Sequence, residues 1–183
     1  VEAKESDYKW SAGDTIRTAI GQSYNNYTSA LMSKYVATLA NGGTRYSMHF
    51  LNKITTNDGK IEEEYQPKVE SKIEIKKENL DAIFRGMFLV TTGPRGTLRS
   101  YFKDFPVNVA AKSGTAQQSS KRSEHTTFVA FAPLEDPQIS VCVIIPFGNG
   151  TTGPAPKVAK AAISEYLKLD YESELKSYDT LLH

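Results

Sequence analysis

The sequence predicts an α+β fold, an antiparallel sheet flanked by helices. Three observations predict it. Apolar residues recur at helical spacing through much of the first half of the chain, three extended runs follow with short connections, and a Gly/Pro-rich loop then leads into one more helical period. At 183 residues and 39% hydrophobic content, the chain is long enough to bury the core such a fold needs.

Residues 1–12 are polar, of mixed charge, and read as a loop. Asp14 is the expected cap of a short helix over 15–21, with Ile16 and Ile20 four apart on one face. Thr28 caps a better-marked helix in which Leu31, Tyr35 and Leu39 share a face, Met32 and Val36 flank it, and Asn41-Gly42-Gly43 stops it. Residues 46–56 read as extended, and Asn57-Asp58-Gly59 turns them into a second strand over 60–65. The strongest helical period covers 78–90, where Leu80, Phe84 and Phe88 form a stripe beside Ile83 and Met87, and Gly93-Pro94 ends it. Extended runs over 107–117, 125–132 and 138–147 supply the three-stranded meander, with Pro133 and Pro137 bracketing the second connection. The loop over 148–156 precedes a helix over 157–169 carrying Val158, Ala162 and Tyr166 on one side, and 170–183 is a polar tail.

Composition removes several function classes. With 22 basic against 21 acidic residues there is no electrostatic footprint for nucleic acid. No apolar run approaches the about 18 residues of a membrane span, so any anchor is expected outside this chain. Cys142 is the only cysteine and lies in the apolar run Val141 to Ile145, which reads as a buried strand with a packed thiol. His49, His125 and His183 lack ligand spacing, so neither a metal nor another cofactor is expected. Gly93-Pro94-Arg95-Gly96 has no following Lys-Ser/Thr and reads as turn punctuation, not as a phosphate loop.

The informative segment is Ala110-Ala111-Lys112-Ser113-Gly114-Thr115-Ala116-Gln117. A cation beside hydroxyls can hold a peptide carboxylate through charge-assisted hydrogen bonds. A free strand edge can pair with an extended peptide, and a glycine lets another backbone approach. Taken by itself, the tripeptide reads more readily as an ordinary strand bearing an exposed lysine. Its context is more specific. Lys112-Ser113-Gly114 resembles the Lys-Thr/Ser-Gly strand of penicillin-recognising acyl-serine transferases. Ala19-Ile20-Gly21-Gln22 and Ala40-Asn41-Gly42-Gly43-Thr44 resemble the stretch between the second and third motifs of class B penicillin-binding proteins. The hairpin at Asn57-Asp58-Gly59, Gly96-Thr97, Phe128 to Pro133 and Gly153-Pro154-Ala155-Pro156 follow in the family's order, so the likeness covers about residues 13–169.

This resemblance implies that the whole chain, 1–183, is the C-terminal part of one transpeptidase domain. The nucleophilic serine, its lysine and the Ser-x-Asn loop would then lie on an N-terminal segment outside it. Ser100-Tyr101-Phe102-Lys103 and Ser23-Tyr24-Asn25 spell similar motifs, but in the wrong order and at the wrong distance from Lys112. The implied reaction is a two-step acyl transfer on the D-Ala-D-Ala end of peptidoglycan stem peptides, with β-lactam antibiotics as suicide substrates. Lys112 would supply charge near the substrate carboxylate, Ser113 and Thr115 would bind it, Gly114 would leave room, and the Thr115 N–H would be an oxyanion donor. Gln117 would touch substrate further along. The implied place of work is the bacterial envelope, outside the cytoplasmic membrane. A β-lactam sensor or β-lactamase-like hydrolase on the same fold, and a non-catalytic α+β interaction module, remain as alternatives. A partial domain is further expected to leave one face of its three-stranded sheet bare.

Overall fold

Two helices are closed by the same backbone device, which brings the chain back on itself before the sheet begins. The computed structural model describes residues 9–22, 25, 27–116, 123–148 and 153–170. Helix α1 (Ala12–Ala19) starts from Ser11, not from Asp14. Asp14 sits at the third helical position, accepts from the Ser11 N–H at 2.9 Å, and donates its own N–H to Ser11 Oγ at 3.3 Å. This reciprocal capping box moves the helix start one turn earlier than a simple Asp cap would. At the other end the Gly21 and Gln22 N–H groups return to the Thr18 and Arg17 carbonyls, both at 3.0 Å. Helix α2 (Ser29–Ala40) is capped by Thr28 and closes likewise, with the Gly42 and Gly43 N–H groups on Leu39 and Thr38. Gly43 is irreplaceable there: its φ is +108°, and a Cβ would fall 2.2 Å from the Ile73 carbonyl oxygen.

The chain then makes two small ribbons. Strand β1 (Thr44–Tyr46) pairs antiparallel with β4 (Val69–Lys72), and β2 (Lys53–Thr55) with β3 (Ile61–Glu64) across the expected turn at Gly59. The extended stretch expected over 46–56 is therefore broken, with no strand between Tyr46 and Lys53. Helix α3 (Lys77–Thr92) and the short α4 (Arg99–Phe102) lead into the main sheet.

That sheet is β5 (Ala110–Ala116), β6 (His125–Ala132) and β7 (Ile139–Ile145), antiparallel in the order β5-β6-β7. Its register runs without a bulge. Helix α5 (Ala155–Tyr166) covers one face, where Ala111, Phe128, Ala130 and Ala132 meet Ala155, Ala159 and Ile163. Those alanines remove side-chain bulk where the helix lies on the sheet. The other face is covered as well: Ala110, Val129 and Phe131 pack against Val36 and Met32 of α2 and Phe84 and Met87 of α3. The expectation of a bare sheet face is thus corrected, because α2 and α3 fold back over it. Burying a phenylalanine such as Phe131, whose ring lies tilted against Phe84 with centroids 4.8 Å apart, contributes about 2–3 kcal/mol. Among the described residues no helix is long and apolar enough to cross a membrane.

Candidate active site on an edge strand

Strand β5 is fixed at its start and free along one side. At its start, Thr91 Oγ1 of α3 lies 2.7 Å from the Val109 carbonyl, to which it donates, and the Leu134 N–H donates to the Asn108 carbonyl at 2.9 Å. Ala110 and Ala111 are fully buried on opposite faces, wedging the strand between the two cores. Beyond them β5 has β6 on one side and no strand on the other among the described residues. The outer edge can therefore pair with an extended peptide.

Strand alternation divides the predicted residues between the faces. Lys112 and Gly114 follow Ala110 on the α2/α3 side, whereas Ser113 and Thr115 follow Ala111 on the α5 side. Lys112 is exposed, and its Nζ folds back to donate to the Ser113 carbonyl. Thr115 is exposed, whereas the Ser113 residue is only 7% accessible. The motif thus presents an ammonium on one face, a hydroxyl on the other, and a backbone edge between them. Gln117 lies outside the described residues.

Gly114 is informative because this chain does not need it. Its backbone is in ordinary extended conformation, and a Cβ would meet only Thr127, at 3.9 Å, an ordinary contact. The missing side chain leaves open a notch that none of the described residues fills.

The look-alike motifs have other occupations. Ser100 is an exposed residue of α4, and the Lys103 ammonium sits 3.7 Å from Asp104. Asn25 donates to the Thr18 and Gln22 carbonyls at 2.7 and 3.1 Å, tying down the exit of α1, and Ser23 lies outside the described residues. Cys142 is half-buried, and burial pushes its thiol above the ordinary value, which keeps it protonated and a poor nucleophile. No cluster of metal-ligating side chains occurs among the described residues. What β5 can do chemically is bind and polarise.

Sequence reasoning missed His125. The β5–β6 register sets it directly opposite Ala116, on the face that carries Lys112 and Gly114. No local motif marks it, since its position depends on strand pairing.

The chain is similar to known proteins in sequence and in fold. The family model of the penicillin binding protein transpeptidase domain matches residues 2–165. Penicillin-binding protein 2B of Streptococcus pneumoniae is 31% identical over 171 residues, covering 87% of this chain and 25% of that protein. Peptidoglycan D,D-transpeptidase MrdA of Escherichia coli is 33% identical over 184 residues, covering 92% of this chain and 29% of that protein. Among solved structures, penicillin-binding protein 2B of Streptococcus pneumoniae superposes with a TM-score of 0.74 at 29% identity, over 88% of this chain and 28% of that one. PBP2 of Pseudomonas aeruginosa, solved in complex with WCK 5153, superposes with a TM-score of 0.72 at 33% identity, over 90% of this chain and 34% of that one. The chain spans 25% to 29% of the length of these curated relatives.

Proposed function

The chain belongs to the penicillin-binding protein transpeptidase family, and on that premise we propose that it forms the substrate-binding part of a peptidoglycan D,D-transpeptidase. The observation that carries this reading is the open edge of β5, with Lys112 exposed beside a Gly114 that the chain's own packing does not require.

In this reading a serine on an N-terminal segment attacks the carbonyl between the two terminal D-alanines of a stem peptide. The new Oγ–acyl bond replaces the C–N bond, and the terminal D-alanine leaves with a proton on its amine. An amine from a neighbouring stem then attacks the acyl-enzyme, releases the serine and completes the cross-link. Lys112 places positive charge beside the terminal carboxylate, and the Thr115 hydroxyl binds that carboxylate. Ser113, on the α5 side and only 7% accessible, adds a second hydroxyl. The Thr115 N–H receives the developing oxyanion, an interaction of the kind whose loss costs about 3 kcal/mol. Gln117 contacts the donor peptide further along. β-Lactams acylate the same serine, and the site works on the outer side of the bacterial cytoplasmic membrane, held by an anchor outside this chain.

The test is covalent labelling with a fluorescent penicillin. The polypeptide joining this chain to its preceding transpeptidase segment should label on a serine outside this chain and keep the label for hours. The isolated chain should remain dark. Labelling of the isolated chain at Ser100, or rapid loss of label from the joined polypeptide, would overturn the reading, the second outcome in favour of a hydrolase.

A further inference from the structure

We propose that His125 is a positioning residue for the acyl-transfer site, locking the open end of the strand pair that carries Thr115; this rests on the function proposed above. The His125 Nδ1 accepts the Phe147 N–H at 3.2 Å. The imidazole also packs against the Phe147 ring, with centroids 4.9 Å apart and planes 42° from parallel. An acceptor at Nδ1 assigns the ring proton of the neutral imidazole to Nε2. His125 therefore joins β6 to the turn that leaves β7, while its backbone is registered against Ala116 at the end of β5.

The turn needs such a tie. Phe147 has φ of +56°, in the left-handed region that is strained for an L side chain. The next residue, Gly148, is pressed onto β6, where a Cβ would lie 2.7 Å from Thr126 Oγ1. The ends of all three strands thus converge at His125, one ladder position beyond the Thr115↔Thr126 pair. Thr115 carries the N–H assigned to the oxyanion, and such a donor is effective only when its position is fixed before the reaction. If His125 merely filled space, any aromatic ring would serve. As a positioning residue it needs the acceptor atom at Nδ1.

Three variants of the joined polypeptide separate these cases, read as noncovalent affinity and acylation rate constant for a fluorescent penicillin. His125→Phe keeps the ring against Phe147 but cannot accept, and should slow acylation about ten- to a hundredfold with affinity little changed. His125→Asn carries an oxygen at the same number of bonds from Cβ as Nδ1 and should recover to within about threefold of the parent. His125→Gln sets its amide one bond too far and should resemble His125→Phe. Nitrogen-15 spectra of the parent should show the Nε2–H tautomer at this ring. Parental acylation by His125→Phe, failure of His125→Asn to rescue, or an Nδ1–H tautomer would each overturn the proposal. A parent that is never acylated would instead remove the transpeptidase reading, and this inference with it.

Discussion

Gly114 and Thr127 stand opposite each other across the β5–β6 ladder, and a Cβ on residue 114 would rest 3.9 Å from the Thr127 Cβ without displacing anything. The fold therefore tolerates a side chain at a position where the proposed reaction does not. Gly114→Ala should leave the unfolding midpoint unchanged or slightly raised, since alanine restricts the unfolded chain and no strain opposes it. Acylation by penicillin should nevertheless fall at least about tenfold, because a methyl group then occupies the notch over the strand. Paired denaturation and labelling measurements check this. A variant that labels at the parental rate would show that the notch is not used.

Lys112→Ala separates charge from structure in a similar way. Lys112 is exposed, and its ammonium donates only to the adjacent Ser113 carbonyl among the described residues, so little stability depends on it. We expect an unfolding free energy within about 0.5 kcal/mol of the parent and an acylation rate reduced by about a hundredfold, as for loss of a single charge-stabilising group. Lys112→Arg should recover only part of that rate, because a planar fork does not reproduce a compact ammonium. Unchanged acylation in Lys112→Ala would take the residue out of the site.

Elements set by local chemistry were legible in the sequence, and those set by pairing were not. The Thr28 cap and the Asn41-Gly42-Gly43 stop of α2 are found where residue type demands them, and the run over 125–132 is strand β6. By contrast, β4 is Val-Glu-Ser-Lys with every side chain exposed, and nothing but its ladder with β1 makes it a strand. Helix α4 has four residues, too few to display a period. Asp14 reads as a cap in the sequence because its partner Ser11, three residues earlier, lies outside the apolar pattern. At the site, the residue types of Lys112 to Thr115 were legible as a motif. The burial of Ser113 on the α5-covered face and the place of His125 opposite Ala116 follow from tertiary register, which no local spacing encodes.

The ion group that ties α2 to the β1–β4 ribbon gives a pH dependence with a definite sign. Glu70 lies 2.7 Å from Lys34 Nζ and 2.9 Å from Arg45 Nε. The Lys34 hydrogen bond, with the two positive charges, holds its carboxyl below the ordinary glutamate value. The folded carboxylate then stays charged at pH values where the unfolded one has taken up a proton. Its contribution to stability is complete above the unfolded pKa of about 4.3 and is lost as pH falls through the lower folded value. Urea midpoints of the parent and Glu70→Gln should therefore differ at pH 6 and converge toward about pH 3. A gap that widens on acidification would refute the assignment.

Lys168 closes α5 in the geometry that Gly21 and Gly42 supply for the first two helices, but with a side chain. Its φ is +53°, its N–H returns to the Glu165 carbonyl, and the Leu169 N–H returns to Ser164. Lys168→Gly removes the left-handed strain and should raise stability by about 0.5–1 kcal/mol. The ion pair with Glu165 that is lost is solvent-screened and offsets little of that gain. A thermal melt reads the sign directly, and a lower midpoint would refute the strain argument.

Thr91 is where helix α3 takes hold of strand β5, and its hydroxyl can be deleted without changing side-chain shape. The residue is 1% exposed, and Oγ1 lies 2.7 Å from the Val109 carbonyl and 2.9 Å from the Phe88 carbonyl. Its single proton is shared between an acceptor on its own helix and the one that leads into β5. Thr91→Val retains the volume and leaves the Val109 carbonyl without its donor, a buried unsatisfied acceptor that costs about 1–3 kcal/mol. Thr91→Ser keeps the hydroxyl and should cost less, the loss being one methyl group at about 1 kcal/mol. Because β5 is anchored at this end and open at the other, Thr91→Val should also slow penicillin acylation even where the protein remains fully folded, whereas Thr91→Ser should not. Equal acylation by both variants would mean that the strand holds its place without this bond and that Thr91 serves stability only.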